Sequence, residues 1–169
     1  AIQAGEMVEN IEVYAFDSEV ACGPQGMFAI EAAKMAQQGA SAKEIMAKLE
    51  ELKATMNAYF IVDDLTHLQR GGRLSAASAL IGGLLQVKPI LHFVDTKIVP
   101  YEKIRTRKKA IRRVEELLKE ATEKHEKLQA VVIHSNCEEE GQAWMEQLQK
   151  EFQTVDFKLS YFGPVIATH

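Results

Sequence analysis

The sequence predicts an α/β protein, and three observations carry that prediction. Short apolar runs of strand length alternate with longer stretches whose apolar residues recur at helical spacing. Helix start and stop signals fall between those runs. No internal repeat or low-complexity linker interrupts the alternation. Strands and helices in alternation build sheets covered by helices.

The opening stretch, AIQAGEMVEN, reads as helix and begins without Met. IEVYAF, residues 11–16, is expected as a buried strand ending at the polar pair Asp17-Ser18. Pro24 suits the first position of a helix and Gly39 its C-terminal cap. Ser41 and Glu44 form a capping box ahead of the apolar stripe Ile45, Met46, Leu49, Leu52 and Met56. A strand over 58–62 leads to a glycine turn, Arg70-Gly71-Gly72-Arg73, and a short small-residue helix, LSAASALIGGLL. VKPILHFV and KIVPYEKI read as two strands joined by a turn near Asp95-Thr96. Ala110, Ile111, Val114, Leu117, Leu118 and Ala121 mark a helix over 107–125. LQAVVIHS is a strand, and Ala143, Trp144, Leu148 and Phe152 mark a helix over 138–152. In the last strand Val155, Phe157, Leu159 and Tyr161 alternate with polar residues, so one face should be wet. Both helices should pack by one stripe on a mixed sheet. The strand at 11–16 lacks a neighbour nearby in sequence, and the chain stops at the apolar GPVIATH. A fragment of a longer polypeptide is therefore expected.

Composition narrows the function classes. With 169 residues, 47% of them hydrophobic and 26% charged, the chain reads as a soluble globular protein. Its formal charge of −4 argues against general nucleic-acid affinity. No apolar run approaches the roughly 18 residues of a membrane span. Cys22 and Cys137 give neither a disulfide framework nor a zinc pattern; both are expected as small packing residues of a cytoplasmic protein.

Few residues carry the mark of chemistry. Arg70 and Arg73 flank flexible backbone, and a guanidinium offers a planar fork of donors to carboxylate or phosphate; two solvated charges on a turn are the plainer alternative. His169, beside Thr168, could donate to a bound anion or simply pack at the end of an apolar segment. His67, His92, His125 and His134 lack ligand spacing, so no metal is expected. Asp63-Asp64 ends a strand, where carboxylates can hold a metal or act as bases; helix capping is the plainer role. No nucleophile elbow and no Walker loop occur. Arg107, Lys108 and Lys109 occupy the first turn of a helix, where its dipole disfavours cations by ~0.3–1 kcal/mol each. That reversed polarity suits an anionic partner, or merely a solvated face.

Taken together, DDLTHLQRGGRLS, LLQVKPIL, the strand pair leading into EKIRTRKKA, the late GPVIATH and the early DSEVACGPQG resemble the DegV family, bacterial fatty-acid-binding proteins that serve as carrier subunits of fatty acid kinase. The resemblance runs through nearly the whole chain. It implies a remnant of a three-layer α/β/α domain over 1–57, followed over 58–169 by a two-layer α/β domain on a mixed six-stranded sheet. It also implies that the family's Thr-Asp-Ser strand and Ser-Gly-Thr loop would lie before Ala1, and its Gly-rich tail after His169.

By the same resemblance, His169, Thr168 and Arg70 would form the network around a fatty acid carboxylate, with Arg70 largely buried near His169. Arg73 would lie nearer the surface where a separate ATP-dependent kinase docks, with Arg107, Lys108 and Lys109 as further docking cations. The ligand would be a long-chain fatty acid, with no cofactor, no metal, no nucleic acid and no catalysis by this chain. Peripheral membrane contact would serve lipid exchange. An acyl tail needs a dry wall, for which Leu80, Ile81, Leu84, Leu85, Ile90, Phe93 and Ile166 are candidates. Each could equally be ordinary core. About a dozen methylenes at ~0.8 kcal/mol would contribute roughly 10 kcal/mol before ordering costs, so the tail should supply affinity and the polar groups orientation. Two other readings stand beside this one: a hydrolase or transferase using His169 or Asp64, and a DNA-binding regulator using the basic run 103–113.

Overall fold

Local signals in residues 1–56 make helices before they make a core. A computed structural model describes residues 2–63, 65–72, 88–164 and 166. It divides into two compact units, Ala1–Met56 and Asn57–His169. The first unit contains α1 (Ile2–Glu6), α2 (Cys22–Gln37) and α3 (Ala42–Thr55). Helix α2 starts two residues ahead of Pro24 and stops at Gly39, whose φ of +86° is costly for any residue with a Cβ. Gly39 N–H donates to Ala36 O and Ala40 N–H to Met35 O, each at 3.0 Å, which closes a Schellman motif. Helix α3 starts at the expected capping box: Glu44 N–H donates to Ser41 Oγ at 3.3 Å, and Ser41 N–H to Glu44 Oε2 at 2.8 Å. Helices α2 and α3 pack together, burying Phe28 and Leu49.

The strand expected at 11–16 does not form. The segment carries no ladder, and Ile11, Val13 and Tyr14 are exposed. An extended segment becomes a strand only when a neighbour accepts and donates its backbone hydrogen bonds, and no described residue does so. Its apolar end is nevertheless used, since Phe16 meets Phe28 with ring centroids 5.2 Å apart.

The second unit holds two ladders. Strands β1 (Tyr59–Ile61), β2 (Ile90–Val94) and β3 (Lys97–Glu102) form an antiparallel sheet in that order. Asp95 and Thr96 join β2 to β3 with φ of 48° and 63°, the double left-handed geometry of a two-residue hairpin turn. Strands β4 (Leu128–His134) and β5 (Val155–Tyr161) run parallel, in register from Leu128 opposite Val155 to His134 opposite Tyr161. Helix α6 (Glu138–Glu151) makes the crossover between them, as a parallel pair requires. Both strand directions expected of a mixed sheet are present, but among the described residues the five strands form these two ladders and not one six-stranded sheet.

Helix α5 (Arg107–Lys124) serves both ladders through one stripe. Ala110 and Val114 pack on Ile90, Ile104, Tyr59 and Ile61, while Leu118 reaches the core of Val132, Met145, Leu148, Phe152, Val155 and Phe157. Trp144 Nε1 of α6 donates to Glu115 Oε1 of α5 at 2.9 Å, which explains an acid on an otherwise apolar border. The single-stripe packing expected of both helices is what the structure has.

Candidate functional site

Strand β1 delivers the chain to the stretch where the anion-binding arginines were expected. Helix α4 (Leu65–Arg70) follows at once, with Leu65 and Leu68 half-buried. Arg70 ends that helix, and Gly72 turns the backbone with φ +70°. Arg70 is exposed, contrary to the expectation of burial. It stands at the polar end of a six-residue helix, and Gly71 and Gly72 add no side chain to cover it. Arg73, Thr168, His169, Leu80, Ile81, Leu84, Leu85, Asp64 and the helix expected over 74–85 lie outside the described residues. Of the three residues expected around a carboxylate, only Arg70 is among the described ones.

The expected acyl wall divides between two faces of the antiparallel sheet. Ile90 is fully buried against Ile104 and Ala110, on the side that α5 covers, so its role is core packing. Three residues along β2, Phe93 points to the opposite face, as strand alternation demands, and its ring lies 5.3 Å from Phe60. Leu91, on that same face, is completely buried. Phe93 and Ile166 are exposed. The apolar surface open on this face of the sheet is therefore Phe93 with the half-buried Phe60 beside it, lying over the buried Leu91. Phe60 and Leu91 were missed in the sequence, although the period-two alternation of ILHFV already groups Leu91 with Phe93.

On the α5 side the same sheet carries an aromatic cluster. Tyr59, His92 and Tyr101 meet with centroid separations of 5.0 to 6.4 Å. Burial pushes the Tyr59 hydroxyl pKa above its ordinary value, with Tyr101 adding to the effect. Tyr59 accordingly stays a neutral packing group.

The basic helix start separates into paired and unpaired cations. Thr106 caps α5, its Oγ1 accepting from Lys109 N–H at 3.3 Å. Arg107 bridges two acids, Asp63 at 3.4 Å and Glu140. The hydrogen bond to Glu140 is the main reason its pKa is raised. Asp63 thus receives cations, while Asp64, the member of the pair directly ahead of α4 and the one placed to cap it, lies outside the described residues. Arg113 is likewise occupied, by Glu102 and Glu120 at 2.9 Å and Glu116 at 3.3 Å, and the hydrogen bonds to Glu120 and then Glu102 raise its pKa. Lys108 and Lys109 are exposed and pair with no acid among the described residues. The reversed helix polarity is therefore resolved within the fold at Arg107 and left open at the two lysines.

Among the described residues no three His, Cys, Asp or Glu gather as metal ligands, and no helix is long and apolar enough to cross a membrane. Cys137, expected to pack, is exposed at the N-cap of α6. His134, at the end of β4, buries Nδ1 without a hydrogen-bond partner among the described residues.

Known proteins of the same build are numerous and agree. The DegV family, described as "Uncharacterised protein, DegV family", matches residues 1–169. Protein DegV of Bacillus subtilis is 56% identical over 170 residues, covering all of this chain and 60% of its own length. A crystal structure of DegV, a fatty acid binding protein from Bacillus subtilis, superposes with a TM-score of 0.89 at 55% identity, over 100% of this chain and 60% of that one. A fatty acid binding DegV family protein from Streptococcus agalactiae gives 0.82 at 36% identity, over 95% of this chain and 56% of that one. The chain belongs to the DegV family and spans about 60% of the length of the relatives it matches.

Proposed function

We propose that this DegV-family chain is the larger part of a fatty-acid carrier, which holds a long-chain fatty acid and presents its carboxylate to a separate ATP-dependent kinase without catalysing the transfer itself. The observation that carries the binding half is the superposition, over the whole chain at 55% identity, on a solved fatty acid binding protein. The apolar patch of Phe93 and the half-buried Phe60 is compatible with an acyl chain lying against it. Residues 1–57 are read as the end of a parallel-sheet domain and 58–169 as the second domain. Peripheral contact with a membrane would load and unload the lipid.

The site follows from the same reading. His169, Thr168 and Arg70 orient the carboxylate, while Arg73, Lys108 and Lys109 meet the kinase. An exposed Arg70 can still serve a head group that must itself be reached by the kinase. The product, an acyl phosphate, adds negative charge at the same place, which fixed cations favour.

The test uses the chain completed to the length of its relatives. Lipid extraction and mass spectrometry should find bound fatty acid in the unmodified protein and in Arg73→Ala. Phosphorylation of that fatty acid by the kinase should fall at least tenfold in Arg73→Ala, equal to about 1.4 kcal/mol of lost interaction. Absence of lipid from the unmodified protein would end the carrier reading; normal phosphorylation of Arg73→Ala would remove its docking role.

A further inference from the structure

We infer that Arg107 is a positioning residue, tying the strand end that leads into α4 and Arg70 to the first turn of α6, and not a free docking cation. The tie grows out of the sheet. Strands β1 and β2 are antiparallel with Ile61 opposite Ile90, so two more residues of that register bring Asp63 beside Lys88. Lys88 Nζ donates to the Asp63 carbonyl at 2.8 Å and to its Oδ1 at 3.2 Å. The other carboxylate oxygen, Oδ2, faces Arg107 Nη1 at 3.4 Å, and Nη2 of the same guanidinium donates to Glu140 Oε1.

Main chain and side chain of Asp63 are therefore both held, two residues before α4 begins. A guanidinium suits this task because its two terminal nitrogens diverge and can satisfy two acids at once, where an ammonium offers a single point of charge. The Thr106 cap fixes the backbone from which Arg107 reaches out. Each of these pairs is solvent-exposed and individually weak, so the network acts on local geometry more than on overall stability. The consequence for Arg70 rests on the carrier reading; the tie itself does not.

Amide hydrogen exchange on the whole chain, with neither fatty acid nor kinase present, tests it. Arg107→Gln should speed exchange of the α4 amides by about threefold or more while β4 and β5 stay unchanged, since local opening is independent of global unfolding. Glu140→Gln should act in the same direction, and the double variant should add little to either, as two partners of one interaction do. Arg107→Lys should lie between. Raising the salt on the unmodified chain should mimic the variant, because exposed pairs are screened; this arm also decides the matter if Arg107→Gln folds poorly. Lys124→Gln, a charge removed at the far end of α5, should change nothing in α4. Unmoved α4 exchange in Arg107→Gln or on adding salt, or an equal rise across β4 and β5, would overturn the assignment. Loss of lipid binding with this exchange pattern intact would instead strike at the carrier reading alone.

Discussion

Residues 1–56 and 57–169 use similar local signals and reach different degrees of burial. In the first unit only Phe28 and Leu49 are buried hydrophobics among the described residues, while Ile2, Met7, Val8, Ile11, Val13, Tyr14 and Ile30 are exposed. In the second unit each ladder has its own buried cluster, and α5 contributes to both. The helices of the first unit are well ended, by a capping box and a Schellman motif. What it lacks, among the described residues, is a partner ladder for its extended segment. Good ends make a helix; burial depends on what lies opposite its stripe.

The largest effect that would sharpen this contrast is in the core of the βαβ unit. Phe157→Ala should cost about 3–5 kcal/mol, read from urea unfolding, because Phe157 packs among Val132, Met145, Leu148 and Val155. Ile11→Ala, at an exposed position of the first unit, should stay within about 0.5 kcal/mol of the unmodified chain. Comparable losses from the two substitutions would break the comparison.

A smaller effect is expected where α6 crosses β4. A Cβ at Gly141 would lie 3.2 Å from His134 Cβ, 3.3 Å from His134 Cδ2 and 3.3 Å from Leu159 Cδ1. Gly141→Ala should therefore destabilise by roughly 1–3 kcal/mol, because a packed strand and helix must separate slightly. A stabilised variant in thermal melting would mean that helix propensity outweighs this crowding.

The smallest effect belongs to the first unit and depends on pH. Ser41→Ala should cost about 1 kcal/mol through loss of the α3 cap. The Ser41 side chain and backbone hydrogen bonds hold the Glu44 pKa below its ordinary value. A lowered folded pKa means that the unfolded chain takes up the proton first as pH falls. The Glu44 contribution is thus whole above the ordinary glutamate pKa of about 4.3 and is lost as pH drops through the lowered value. Circular dichroism of the unmodified chain and of Ser41→Ala should show their difference shrink at acid pH, down to the share of the Glu44 N–H to Ser41 Oγ bond, which does not titrate. A difference of constant size across that range would assign the cap to Ser41 alone.

Much of the fold was legible because the decisive interactions are short in sequence. The Ser41–Glu44 box, the Gly39 stop, the Asp95-Thr96 hairpin and the stripes of α5 and α6 all join residues within a few positions of one another. The motifs around Arg70 and Arg73 likewise pointed to the family before any geometry was known, since a run of residues in order survives where a single residue would be ambiguous.

Tertiary structure decided what depends on distant partners. Whether IEVYAF is a strand depends on a neighbour to complete its hydrogen bonds, which its own alternation cannot supply. Whether Ile90 or Phe93 can face a ligand depends on which side of the sheet α5 covers. The three cations at the start of α5 are alike in sequence, yet Arg107 is claimed by Asp63 and Glu140, 44 and 33 residues away, while Lys108 and Lys109 are exposed and find no acid among the described residues. A charge is defined by its residue type, but its partner is defined by where the rest of the chain has folded.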